Sequence, residues 1–509
     1  MRFWGYHKYM QAKTRSLTII LLIVLSSLAC NLSAPTPQAW VQTPSAAALA
    51  STQTASALSS QLTNLPTTAS TETPLPPTAA PPTSTKAAED GPWLVFLAKD
   101  GATLNALDRD TGSISKLDLP ALGDLADLKS GLSPSGSSLL VRAGSIDTLD
   151  ELALYLIDSP HEPIEKISPL LSVFLQREYI NQNTGNAAQT LLAVQQEDGV
   201  SWSPDGKLVA FTAALDGDSS NIYLYDTVKN RLDRMTVRFR QNLTPAWSPD
   251  MQWLIFQEAL SLSDSITWNI SQVSGVSMPD YAITKILYLP IDDGLGEVFA
   301  GWMNESILLS YSRVTDGYSH LRQVDVNKAE ALTIFPGQFK ECAFDKSNQN
   351  IALNVDAVAG QANKQLSGIY ISTTGGSQFN LAAVGEYQNL QYSPESGLFL
   401  ASNPRGLFGI NAGGIVISLL QEEKAAFSPN NSWLLGWSKS GANLYTAQGK
   451  FLQGLTDEPV LEAVWHQNAK GFYLVAESGL YHYAFPLLKP TFMTDDISLQ
   501  DGFYAAWLK

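Results

Sequence analysis

Five histidines, two cysteines and scattered carboxylates are the groups in this 509-residue chain that could perform chemistry. The histidines (His7, His161, His320, His466 and His482) never fall at the i, i+4 spacing that places two imidazoles on one helix face for a metal. Asp216-Gly217-Asp218 could open a calcium loop, yet no glutamate follows at the distance such a loop needs, so the segment reads as a solvated turn. Neither a metal nor a cofactor is expected. Cys342, in FKECAFD, reads as a buried free thiol that packs as a small hydrophobe. Four loop residues remain as candidates for ligand contact: Asp218, Tyr318, His320 and Arg405. Their mix of charge and aromatic character suits a sugar or a peptide, against the plainer reading that loops are simply polar.

The elements that must position these residues are short strands. Residues 200–211 read VSWSPDGKLVAF: two apolar strands flank Ser-Pro-Asp-Gly, where Pro204 presets φ, Asp205 tolerates the next position and Gly206 accepts the exit angle. The hairpin recurs almost unchanged as LTPAWSPDMQWLIFQEA (243–259) and more weakly from Gly131, Leu390 and Ala425; degenerate copies surround Trp302, Phe344 and Trp465. After Trp202 the chain continues through NIYLYD and RLDRMT, which completes a four-strand unit, and the same sketch fits from Phe427 onward. Four short antiparallel strands every 35–55 residues, with almost no long helices, predict the blades of an all-β propeller.

The ends of the body support a ring. WLVFLAKDGATLNALDRDTGSISKLDL (93–119) supplies three strands without a first, and FYAAWLK supplies a first strand without the rest, so residues 503–507 are expected to close the blade begun at Trp93 and remove two sheet edges. Nine first strands can be counted, but the loops at 169–196 and 257–283 invite a mis-split. The expectation is one closed propeller of about eight blades, seven to nine, over residues 91–509. Those two loops exceed what a blade connection requires, and the first could carry a short amphipathic helix.

The first ninety residues have a different composition. A basic stretch without acids precedes an apolar run from Leu17, and Ser26-Ser27-Leu28-Ala29-Cys30 follows, which is the layout of a secretory signal over 1–29. A cysteine directly after a small residue resembles the lipobox of bacterial lipoproteins, although leucine stands at −2 and serine at −3. That resemblance implies diacylation and cleavage at Cys30, an anchor in the membrane, and a place in the cell envelope on the extracytoplasmic side. Residues 30–90 are rich in Ala, Ser, Thr and Pro, with too little apolar bulk to offset ordering entropy, and are expected to form a disordered stalk. As a coil, a segment of about 60 residues spans on the order of 45 Å. Without the four cations ahead of Leu17, 28 basic residues face 48 acidic ones, a net charge of −20 that disfavours nucleic acid as a partner.

The run W-S-P-D-G-K-x-x-A-F, followed by N-I-Y-L-Y-D and L-D-R-M-T, resembles the WD-like repeat of TolB-type β-propellers, specifically over 200–236 and well over 244–256. The resemblance implies the fold and a protein- or ligand-binding face, and no single activity. Relatives of this repeat also gate prolyl oligopeptidases, which add an α/β-hydrolase domain with a Gly-x-Ser-x-Gly elbow; no such elbow occurs here. The functional expectation is a membrane-anchored, non-enzymatic lipoprotein that binds a protein, peptide or glycan. The alternative is an extracytoplasmic polysaccharide hydrolase or lyase with carboxylates converging in the funnel.

Overall fold

The computed structural model describes residues 91–509 apart from the stretches 123–129, 145–151, 183–185, 197, 238–239, 263–267, 279, 289–296, 315–316, 357–365 and 500–504. Within it the chain forms eight four-stranded antiparallel sheets and one three-stranded sheet. These are nine blades in chain order: blade 1 at 93–116, blade 2 at 132–169, blade 3 at 200–234, blade 4 at 241–288, blade 5 at 297–339, blade 6 at 341–384, blade 7 at 388–420, blade 8 at 424–456 and blade 9 at 460–494. Nine is the upper end of the expected range and equals the raw count of first strands. The short spacings around Tyr392, Phe427 and Trp465 are complete blades with tight turns, not split ones. In blade 2 the first strand is reduced to a single bridge, Leu132 to Leu139, which explains why its repeat signal is weak.

The repeated hairpin works through its serine. Ser203 N–H donates to the Leu208 carbonyl (2.8 Å), and Leu208 N–H donates back to the Ser203 hydroxyl oxygen (2.9 Å). That hydroxyl donates in turn to the Asp205 carboxylate (2.7 Å), so one side chain satisfies the turn internally. Ser248 with Asp250 and Trp253, and Ser428 with Asn430 and Trp433, repeat the arrangement. The fourth turn residue is left-handed each time: φ is 71° at Gly206, 61° at Met251 and 51° at Asn431. Glycine meets that demand at no steric cost, asparagine at little, methionine at more.

Hydrophobic packing shows that the blades form a circle. Each pair of consecutive blades shares one buried cluster, as where Phe256 of blade 4 meets Ile222 of blade 3 and where Phe399 of blade 7 meets Ile369 of blade 6. The circle is completed by Leu94 and Phe96 of blade 1 against Tyr473 and Val475 of blade 9. Second strands are buried on both faces and fourth strands are mostly exposed, as expected when first strands line the axis and fourth strands form the rim. A strand at Ala505–Leu508 pairs with Trp93–Leu97 and becomes the innermost strand of blade 1. Phe503 lies outside the described residues, as do Cys30 and everything else before Gly91.

Candidate functional site

Because every blade runs inside to outside in the same sense, turns between second and third strands share one face of the ring with connections from each fourth strand to the next first strand. We call this the upper face. Asp218 in blade 3 and Arg405 in blade 7 lie on such turns, whereas Tyr318 and His320, expected in a loop, belong to the strand Gly317–Asp325 near the same face of blade 5, because the hairpin ladder there runs almost to its tip. They sit on three separate blades, and their surroundings differ. Asp218 has an exposed side chain, while its carbonyl accepts a hydrogen bond from Thr190 Oγ1 at 2.7 Å. Tyr318 packs 4.6 Å from Tyr311 and 5.9 Å from Phe339, so it belongs partly to an aromatic wall between blades 5 and 6. His320 is left-handed (φ 53°) with its Nδ1 2.9 Å from the Ser319 hydroxyl. Arg405 is exposed on a turn braced by Asn403 Oδ1, and its charge opposes the rise that burial gives the Tyr387 hydroxyl pKa.

The first long insertion is the most developed feature of this face. It forms two helices, α1 at Val173–Gln182 and α2 at Asn186–Val194, where a single short one was expected. Leu175, Leu191 and Val194 bury against Leu154 of blade 2 and Phe211 of blade 3. Ala193 reaches further, to Leu243 and Trp268 of blade 4. The Arg142 guanidinium ends the second helix by donating from Nη1 to the carbonyls of Val194 and Gln196, both at 2.9 Å, which puts a cation at the negative end of the helix dipole. Thr190 also accepts from Gln241 Nε2, whose amide oxygen takes the Ser220 N–H, so the helix is stitched across two blades. Val173 and Phe174, at the start of the first helix, are 61% and 68% exposed. The second insertion, near 257–283, is an extended hairpin made by the long strands Trp253–Leu262 and Trp268–Ser277.

Sequence reasoning missed a recurring carboxylate at the upper end of the seams between blades. Glu297 in the first strand of blade 5 pairs with Arg322 (3.0 Å) and takes the Ser312 hydroxyl; burial raises its pKa, and Arg322 opposes that rise. Glu341 accepts the N–H groups of Asn389 and Leu390 from the next blade, at 2.8 and 3.1 Å. Glu422 accepts from Asn443 and Tyr445, and Asp496 accepts from Asn105 and from Lys99 N–H. The signal available in the sequence was an acid a few residues before the aromatic that ends a first strand, as in Glu297 before Trp302 and Glu422 before Phe427. Glu341 and Asp496 accept hydrogen bonds from the neighbouring blade and clamp two sheets together, whereas Glu297 and Glu422 brace the first and third strands of their own blades.

A crevice of about 140 Å³ opens between blades 8 and 9, lined by Leu455, Glu458, Tyr481, Tyr483 and Pro490. It is smaller than the roughly 300 Å³ at which small-molecule pockets begin and would take one side chain. Among the described residues, no group of three His, Cys, Asp or Glu could hold a metal ion, and no helix is long and apolar enough to cross a membrane. Cys342 is a free thiol that is half-buried, not fully buried as expected, and the desolvation it meets pushes its pKa up to about 12.

No protein-family model matches the chain, and no curated protein matches it. Similar solved structures share the fold at low identity. A eukaryotic initiation factor is 12% identical over 82% of this chain and 97% of its own, with a TM-score of 0.50. A dipeptidyl peptidase 4 from Porphyromonas gingivalis is 14% identical over 75% and 64%, with a TM-score of 0.45. TolB from Acinetobacter baumannii is 17% identical over 56% and 61%, with a TM-score of 0.30. The chain thus spans under two thirds of the length of the last two. By its ring of nine antiparallel blades, with the Trp-Ser-Pro-Asp hairpin in two of them, the chain is a β-propeller, and TolB is among the propellers it is similar to.

Proposed function

We propose that this propeller is a binding module carried outside a bacterial membrane by a lipid on Cys30, and that its upper face takes a protein, peptide or glycan. The observation that carries the binding reading is the helix pair at 173–194, seated across blades 2, 3 and 4 and stitched there by Arg142, Thr190 and Gln241. A rigid ring bearing an elaborated loop face is how scaffolds present recognition surfaces. The exposed Val173–Phe174 pair, Asp218 and Arg405 then supply apolar, acidic and basic contacts on that one face. The Ser/Thr/Pro-rich segment 31–90 acts as the stalk, and the secretory layout before Cys30 supports the anchor.

Two experiments test the two halves separately. Thiol labelling of the full chain taken from membranes and unfolded should find Cys342 as the one reactive thiol, because the lipid blocks Cys30; Cys30→Ser should leave the membrane fraction. A freely reactive Cys30 would end the anchor reading. For the face, an array of peptidoglycan fragments and polysaccharides is probed with the wild type, with the double variant Asp218→Lys/Arg405→Glu, and with the rim control Phe451→Ser. Binding lost only in the double variant supports the upper face, and binding unchanged in all three removes it. Appearance of new reducing or unsaturated sugar ends would instead make the protein a hydrolase or lyase.

A further inference from the structure

The lower end of the seam between blades 9 and 1 holds an arrangement that the binding reading does not use. His466 follows the first strand of blade 9, Val460–Trp465; Tyr473 lies in the second, Gly471–Ala476, and His482 in the third, Gly479–Ala484. The two imidazoles stack with centroids 4.9 Å apart and planes 13° from parallel. Tyr473 lies 4.9 Å from His482 and 5.0 Å from His466, while Trp507 of the closing strand meets His466 edge-on at 5.7 Å. His466 is 5% exposed and Tyr473 is fully buried. Among the described residues, Nε2 of both histidines and the Tyr473 hydroxyl find no hydrogen-bond partner. Such orphaned buried atoms are rare and call for an explanation.

The strand that lines this seam is also the one that closes the ring. The chain runs from blade 9 into Ala505–Leu508, which pairs with Trp93–Leu97 without a covalent connection, and the Trp507 indole N–H is donated across the seam to the Trp465 carbonyl. We propose that the stacked His466–His482 pair is an acid-sensitive latch on the ring: protonation places two like-charged rings face to face against Trp507, and the closing strand releases before any other part of the propeller opens.

The surrounding charges favour this direction. From blade 1, Arg109 adds a further positive charge; its partner Asp110, at 2.7 Å, is the one group that favours a charged His466. Asp108 is already engaged by the N–H groups of Asp110 and Thr111 and by the Thr111 hydroxyl. Burial, then the charge of His482, then Arg109 hold His466 down to about 3, and burial holds His482 below its usual value. With the seam open, both histidines titrate near the ordinary value of about 6.5. The open form therefore binds more protons between that value and about 3, so closure is intact above about pH 6.5 and weakens as pH falls through this window.

Hydrogen exchange on the full chain, corrected for the intrinsic pH dependence of exchange, tests the latch at pH 7.5 and pH 5. Protection of 505–508 and 93–97 should fall on the order of tenfold or more at pH 5, while 253–262 in blade 4 stays protected. The double variant His466→Gln/His482→Gln should keep the closing strand protected at pH 5. Where that variant does not fold, His482→Phe, which retains the stack and removes one charge, should reduce the loss. Equal loss in every blade, no loss at 505–508, or the same loss in the histidine variants would each overturn the latch.

Discussion

The indole N–H of Trp507 donates to the backbone carbonyl of Trp465 at 3.0 Å, while the neighbouring Leu508 pairs with Trp93. Four residues at one end of the folded body thus hold its last blade to its first. Ala506 and Leu508 are buried, and fully burying a large apolar side chain is worth roughly 1.5–3 kcal/mol. Removing residues 505–509 should therefore cost several kcal/mol and expose the inner edge of Trp93–Leu97, giving aggregation or a sharply lower melting temperature. Deleting 31–85 should leave melting unchanged. A C-terminal truncation that melts like the parent would mean that the ring does not depend on this strand.

Met251 occupies the left-handed turn position that Gly206 fills in the preceding blade. Met251→Gly should relieve steric strain of about 1–2 kcal/mol and return part of it as unfolded-state entropy. The net expectation is a gain of about 0.5–1 kcal/mol in urea unfolding at unchanged m-value. Gly206→Ala should lose a similar amount.

Glu297 and Arg322 form an ion pair with side chains 2% and 10% exposed. Arg322→Met leaves a buried carboxylate without its cation and should destabilise by about 3–5 kcal/mol. Adding Glu297→Gln should recover part of that loss, because the charge is gone. A double-mutant cycle in urea measures the coupling, and an additive result would mean that the pair contributes nothing as a pair.

Arg142 secures the upper-face helices without belonging to them. Hydrogen bonds to a charged group are worth about 1.5–3 kcal/mol, so Arg142→Met should loosen 173–196 while leaving the ring folded. Limited proteolysis should then cut within that segment first. Protection equal to the parent's would place the anchoring of the helices in their apolar contacts alone.

The parts of this fold that were legible in sequence are those written locally. Ser203-Pro204-Asp205-Gly206 specifies a turn by residue type, and its copies fix the repeat even where Met251 or Asn431 replaces glycine. The helices at 173–194 were only half legible: one short helix was expected where two are found, and their seat is chosen in part by Leu243 and Trp268, distant in sequence. Pairings such as Glu297 with Arg322 and His466 with His482 were invisible for the same reason. Successive strand registers bring Glu297 beside Arg322, and the turn after Trp465 brings His466 over His482; no spacing rule marks residues that meet across a sheet. Asp218 and Arg405 were legible as loop residues, but nothing local said that Tyr318 and His320 would belong to a strand or that Tyr318 would turn inward against Tyr311.

The central position of Trp93–Leu97 in its blade has a mechanical consequence. The strand is held on one side by Leu104–Asp108 and on the other by Ala505–Leu508. A force applied along the axis of this strand would load two antiparallel ladders in shear at once instead of peeling a rim strand bond by bond. What sets this strand apart from the other doubly paired ones is that its inner partner comes from the opposite end of the folded body. The outer edges of the blades, where Phe451 and Phe492 lie exposed, stay outside the line of force.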